Sequence, residues 1–416
     1  MATSPPLPSL TPTSALTGLC FVGFFARLSY ALARTPVLAL FAVFLGAGPE
    51  AIGFAVAIST ITGIFFKMPA GVLSDVIGKP RTLFLGLACF AFIPLAYLLV
   101  DSYPTLVAVR FFHGLATAIY GPVAMAVVAD LVTARRAEML SWFSAVTIIG
   151  NLLGAPLGGF LLTYLSGQGE PQLSYFHTVY GAVAALGLVS FGAGLWVLRG
   201  QKPPVIEEGR TLEAVWRKFR RGIRELLLDP KIMITSNMEG VQNLALGALE
   251  AFLPIYAVVI CGFSAFQAGL LWGMQVVATI IAKPIMGAIS DRYGRGPLIF
   301  WGMFACALPL AMIPWFKQYP VLLLLAAVFG LGEAVVTSSA AALVADFCHR
   351  EQLGAAMGAF GTIFDVGHAA GPLLAGTLIG LWGGQDYRWP FAIIAGLLIF
   401  SALAFRAVVP RQKIEI

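Results

Sequence analysis

The chain has 416 residues, of which 59% are hydrophobic and only 11% charged, with a formal net charge of +6 and a mean hydropathy of +0.88. Soluble domains carry roughly a quarter charged residues, so a water-soluble fold is excluded: it would lack the polar surface to cover so much apolar mass. The positive balance is accounted for by basic loops on one side of a membrane and calls for no nucleic-acid partner.

Residues 1–14 are rich in Pro, Ser and Thr and lack the basic and small-residue pattern of a cleaved leader, which predicts a disordered tail. Six apolar runs follow at 16–45, 51–70, 83–100, 104–128, 139–164 and 175–198. Each is near the roughly 20 residues that a helix needs to cross a bilayer. Residues 199–231 form the one long polar segment, in which Leu212, Val215, Trp216, Phe219, Ile223 and Leu226 recur at helical spacing among basic residues. That pattern predicts a basic amphipathic helix on the membrane surface, tethering two domains. Six more runs lie at 232–260, 266–287, 297–316, 320–344, 354–381 and 389–408, before a tail at 410–416. The expected fold class is an all-α membrane protein, with twelve spans in two bundles covering 15–198 and 232–409.

Of the 26 Lys and Arg, 19 fall in tails and alternate loops on one side and two, Lys317 and Arg388, on the other. Basic loops stay in the cytoplasm, so both termini are expected there, in a bacterial-type inner membrane. Cys20, Cys89, Cys261, Cys306 and Cys348 show no paired spacing, and neither disulfides nor a metal site is expected.

Ionisable residues inside spans cost roughly 2.5–3.5 kcal/mol each on insertion scales, so each invites a functional reading. In chain order they are Arg27 and Arg34, seven apart in span one; Arg110 and His113 in span four; Glu239 and Glu250 in span seven; Glu333 in span ten; and Asp365 and His368 in span eleven. Residues three apart on a helix share a face, as Asp365 and His368 do. The first half supplies bases and the second acids, so opposed charges can pair across a central cavity. Lys67 and Lys283 stand one turn before two polar loops and are expected to snorkel to the interface.

Those loops belong to a repeat offset by about 216 residues. Lys67–Lys79 (KMPAGVLSDVIGK) matches Lys283–Arg295 (KPIMGAISDRYGR), Val128-Ala-Asp130 matches Val344-Ala-Asp346, and Gly150-Asn-Leu-Leu-Gly154 matches Gly367-His-Ala-Ala-Gly371 one residue further along. Gly71 and Gly287 suit close helix approach. Asp75 and Asp291 suit a neighbouring helix N-terminus. Gly78 and Gly294 suit tight turns. Lys79, Arg81, Arg292 and Arg295 offer partners for acids or lipid phosphates. Repeats of this kind place a substrate site near the midplane between the halves.

The paired Gly-x-Leu/Ile-Ser-Asp-x-x-Gly-Lys/Arg loops resemble the signature of the major facilitator superfamily, over essentially the whole chain. The resemblance implies that Gly71, Asp75, Gly78, Lys79, Arg81, Gly287, Asp291, Gly294 and Arg295 latch one conformation of a carrier, with Val76 standing where a basic residue is common. Arg110-Phe-Phe-His113-Gly114 is similar to the span-four motif of proton-coupled members. Gly150, Gly154, Pro156, Gly158 and Gly159 resemble the span-five motif of drug antiporters with the proline one residue late, and Gly367, Gly371 and Pro372 fit that pattern in span eleven.

The expectation is a monomeric secondary transporter that exports a small organic compound by alternating access. A proton gradient drives it, sodium is the alternative coupling ion, and no cofactor is required. Two alternatives are uptake of an anionic solute held by Arg27, Arg34 and Arg110, and a non-transporting sensor or assembly factor. No enzymatic motif (HExxH, GxSxG or P-loop) is present.

Overall fold

A computed structural model of the chain describes residues 12–131, 136–167, 169, 171–198, 230–348 and 353–408. Residues 1–11 of the predicted tail, 199–229 of the predicted amphipathic segment, Arg135 and the residues from 410 onward lie outside the described residues, while 12–14 are the first turn of a helix and 230–231 open another. Twelve helical spans are long and apolar enough to cross a membrane. In chain order they are Ser14–Phe44, Pro49–Ser74, Lys79–Leu99, Tyr103–Asp130, Glu138–Ser166, Leu173–Val197, Pro230–Ile260, Ala265–Tyr293, Arg295–Trp315, Tyr319–Phe347, Ala356–Leu381 and Arg388–Val408. They carry exposed Phe65, Tyr164, Trp301 and Phe400. Such an apolar exterior is stable against lipid and not against water.

Each half folds by the same plan. Span one packs on spans five and six, and its counterpart, span seven, packs on spans eleven and twelve. Spans two and four pair in the first half as spans eight and ten do in the second. The halves meet along two seams, span two on span eleven and span eight on span five.

The signature loops shrink to single residues, Gly78 at φ 96° and Gly294 at φ 88°. Only glycine holds that backbone region without strain, so both predicted turns are present. The end of the bundle that carries these loops is the basic end, and the opposite end carries the connections 45–48, 261–264 and 382–387.

One sequence expectation changes. Span one is not a continuous helix: Pro12–Leu32 ends, residues 33–36 form a turn, and Val37–Phe44 follows. Pro36 cannot donate a backbone hydrogen bond, and its ring crowds the preceding turn. Arg34 therefore sits at a break rather than two regular turns beyond Arg27.

Candidate functional site

A cavity of about 860 Å³ lies between the halves. Spans one, two, four and five line it from one side and spans seven, eight, ten and eleven from the other; the remaining four spans contribute no wall.

At the end opposite the basic loops, glycine backbones seal the cavity. A Cβ on Gly53 would collide with the carbonyl oxygen of Pro372, and one on Gly376 with that of Pro49. The other seam repeats this: Gly269 meets the Ala155 carbonyl and Gly159 the Ala265 carbonyl. Toward the basic end the seams part, and a Cβ at Gly71, Gly287, Gly358 or Gly361 would meet nothing within 4 Å. The close approach expected at Gly71 and Gly287 is thus made at the other end.

Just below the seal, charges from the two halves meet. Arg34 Nε lies 2.5 Å from Glu250 Oε1. Thr35 Oγ1 donates to the same oxygen at 3.0 Å. His368 Nε2 lies 2.7 Å from Arg34 Nη2 and 2.9 Å from Glu250 Oε2. A single imidazole nitrogen either accepts or donates, so Nε2 serves Arg34 when bare and Glu250 when it carries a proton. The position of one proton therefore decides which half His368 supports. Nearer the basic end, Lys67 Nζ lies 2.5 Å from Asp365 Oδ2 across the seam of spans two and eleven. Lys67, expected to snorkel, instead crosses between the halves.

Glu333 also faces the cavity, hydrogen-bonded by Gln275 and with Thr279 Oγ1 at 3.1 Å. Arg27 and Lys283 line the cavity as well. No carboxylate among the described residues lies within ion-pair distance of either.

Three sequence candidates lie elsewhere. Arg110 is fully buried inside the first half with its guanidinium 5.3 Å from the Tyr30 ring centroid. His113 is buried beside it, its Nδ1 3.2 Å from the Tyr97 hydroxyl, and Tyr97 stacks on Tyr180 at 3.9 Å. An aromatic face attracts a desolvated cation by about 2 kcal/mol, which offsets part of the cost of that burial. Glu239 is buried within the second half and accepts from Asn243 at 3.2 Å. None of the three lines the cavity.

The motif glycines are helix-packing contacts. Gly150 and Gly154 press span five onto Phe24 and Ala31 of span one, Gly158 onto Leu32, and Gly367 and Gly371 press span eleven onto Gly240 and Leu244 of span seven. Pro156 instead packs against Gly273 across the span five and span eight seam, and Pro372 packs against Gly247.

Among the latch residues, Lys79 Nζ pairs with Asp130 Oδ2 at 2.5 Å and Arg295 with Asp346 at 3.0 Å and Asp291 at 3.4 Å. These pairs join residues of one half and do not bridge the two. Arg292 lies 5.5 Å from the Tyr293 ring. Arg81 shows no ion pair among the described residues, and the Asp75 side chain lies outside them. Asp130 and Asp346 are contributors that the sequence reading did not assign, although the repeated Val-Ala-Asp triplet marked them. Thr35 and Gln275 gave no sequence signal, because one hydroxyl or amide in an apolar run is unremarkable.

Comparison with known proteins agrees with this architecture. The sequence model of the Major Facilitator Superfamily matches residues 19–282 and 241–415. The multidrug transporter MdfA of Yersinia pestis is 27% identical over 346 residues, covering 81% of this chain and 80% of its own. The synaptic vesicular amine transporter of Mus musculus is 25% identical over 354 residues, covering 83% of this chain and 64% of its own. Among solved structures, the nucleoside transporter NupG superposes with a TM-score of 0.79 at 15% identity, over 94% of this chain and 98% of that one, a likeness of fold alone. Twelve spans in two repeated bundles, a cavity between them and a family match along nearly the whole sequence lead to one conclusion: this multi-pass membrane protein is a transporter, not an enzyme, and belongs to the major facilitator superfamily.

Proposed function

We propose that the protein exports a small amphipathic organic compound from the cytoplasm by alternating access, coupled to entry of protons. One observation carries the reading: a cavity between the halves is sealed at one end by backbone contacts and spanned near that seal by the ionisable set Arg34, Glu250 and His368. Positive-inside asymmetry puts the basic end in the cytoplasm of a bacterial-type inner membrane, so the cavity faces inward in this state. Opening the other side requires the glycine seams to part and the Arg34–Glu250 pair beside them to separate. A proton on Glu250 removes the charge attraction that opposes separation. The proton gradient then drives the cycle, with no cofactor and with the monomer as the working unit. The Yersinia pestis relative is named a multidrug transporter and the mouse relative a vesicular amine transporter, and both names support a small organic cargo.

Purified protein in proteoliposomes tests this. An imposed pH gradient is expected to drive accumulation of hydrophobic organic solutes and to move protons in exchange. Flux that is indifferent to the pH gradient but follows a sodium gradient would replace the coupling ion. Flux that follows neither would end the coupling idea.

A further inference from the structure

The two seams are the same structure twice. With the repeat offset of 216 in spans two and eight and 217 in spans five and eleven, Gly53 against Pro372 becomes Gly269 against Ala155, and Gly376 against Pro49 becomes Gly159 against Ala265. All four contacts obey the rule, so equivalent positions on the two seams occupy equivalent places. Applied to the cavity, the rule turns Lys67 into Lys283, Asp365 into Ile148 and His368 into Asn151. All six residues line the cavity. The first seam holds the ion pair Lys67–Asp365. The second keeps the lysine and has isoleucine where the acid would stand.

The cavity charges agree with that vacancy. Glu250 and Asp365 are engaged by Arg34 and Lys67, and Glu333 is held by Gln275 and Thr279. Arg27 and Lys283 remain as cations with no carboxylate within ion-pair distance among the described residues, although the charge of Lys283 acts at longer range on Glu333 and Glu239. A lysine ammonium on its flexible stem is a mobile point charge, and low-dielectric walls focus its field into the cavity. Trp272, Met125, Ile280 and Phe364 supply apolar wall to the same cavity.

We infer that Lys283 is the anchoring cation of the substrate site and that it takes an amphipathic organic carboxylate, whose anionic group stands where the missing acid of the second seam would be. This rests on the transport reading and names its substrate class. It also revises the anion reading drawn from sequence, which relied on Arg27, Arg34 and Arg110. Arg34 is paired with Glu250 and Arg110 is enclosed in the first half, so only Arg27 of those three faces the cavity unpaired.

The test reads binding without a gradient, so that it stands apart from the flux assay. Full-length protein in detergent is titrated with naphthoate, uncharged naphthamide and cationic naphthylmethylammonium, with binding followed by thermal stability and by equilibrium dialysis. Naphthoate is expected to bind and naphthamide to bind at least about tenfold more weakly, the scale of one hydrogen-bonded charge. Lys283→Met is expected to remove that preference and Lys283→Arg to keep it. Ile148→Asp restores the acid within the protein and is expected to weaken naphthoate by a similar factor while leaving naphthamide unchanged. Because Ile148→Asp keeps Lys283 in place, it separates loss of the site from loss of the fold. Equal binding of naphthoate and naphthamide, preference for the ammonium, no binding of naphthoate, or unchanged naphthoate affinity in Lys283→Met would each overturn the assignment. Absence of flux in proteoliposomes with naphthoate binding intact would instead count against transport.

Discussion

Spans two and eleven form one seam and spans eight and five the other, and the comparison separates scaffold from chemistry. Both seams close through glycines pressed on carbonyl oxygens, at positions related by the repeat. Among the described residues, only the first carries an ion pair across the halves. Backbone contact depends on having no side chain, which both copies preserve. Charge depends on one residue type per position, and there the copies differ: Asp365 on one seam, Ile148 on the other. The protein thus has two symmetric seams around an asymmetric cavity.

The largest expected effect comes from filling the shared contacts. Gly53→Val and Gly269→Val each drive a side chain into a backbone carbonyl, and overpacking of this kind costs about 1–3 kcal/mol or more when the backbone cannot yield. Both variants should favour the state with this end open. Higher thiol-reagent labelling of cysteines placed near Ala47 and Phe263 would register it. Equal responses would uphold the equivalence of the seams; a response at only one would break it.

Next in size is Glu250→Gln. Glu250 is 4% exposed and Arg34 22%, so Arg34 and His368 would lose their anion in a partly dry place. Removing one partner of a buried pair costs about 3–5 kcal/mol, and access to the cavity lowers this to about 2 kcal/mol here. Thermal unfolding in detergent should show a clear decrease, with the dependence of flux on pH reduced at the same time.

Smaller again is the contrast between the two lysines. Lys67 is 45% exposed, so Lys67→Met should cost about 1 kcal/mol or less. Lys283→Met breaks no ion pair among the described residues but removes a charge that acts at longer range on Glu239 and Glu333, and should cost less than Lys67→Met in unliganded stability. A loss at Lys283 as large as that at Lys67 would mean that Lys283 has a structural partner after all.

The smallest effect belongs to the loop pairs. Lys79→Ala and Arg295→Ala remove partly exposed partners of Asp130 and Asp346, worth about 0.5 kcal/mol each and less as salt is added. Matching losses that fade together in salt would extend the seam symmetry to the basic end.

Much of this was legible in the residues. Apolar runs longer than a bilayer is thick must be spans, because lipid offers no partner for an open backbone. The repeated loops had to turn alike, because Gly78 and Gly294 are required by a positive φ wherever the helices go. The 216-residue offset already placed Arg34 and Glu250 at equivalent sites.

What the sequence determined by itself was the membrane class, the twelve spans, the two halves and the sites of the turns, since each follows from local hydrophobicity and backbone chemistry. Only the tertiary structure decided which charges meet. Arg34 and Arg110 look alike as arginines in apolar runs, yet one reaches across to Glu250 and the other is enclosed among tyrosines. Lys67 and Lys283 look alike as repeat mates, yet one is paired with Asp365 and the other has no carboxylate within ion-pair distance among the described residues. The physical reason is that a helix fixes the spacing of its side chains but not its own rotation or its neighbour. Electrostatic partners depend on both, and both are set by packing between segments hundreds of residues apart.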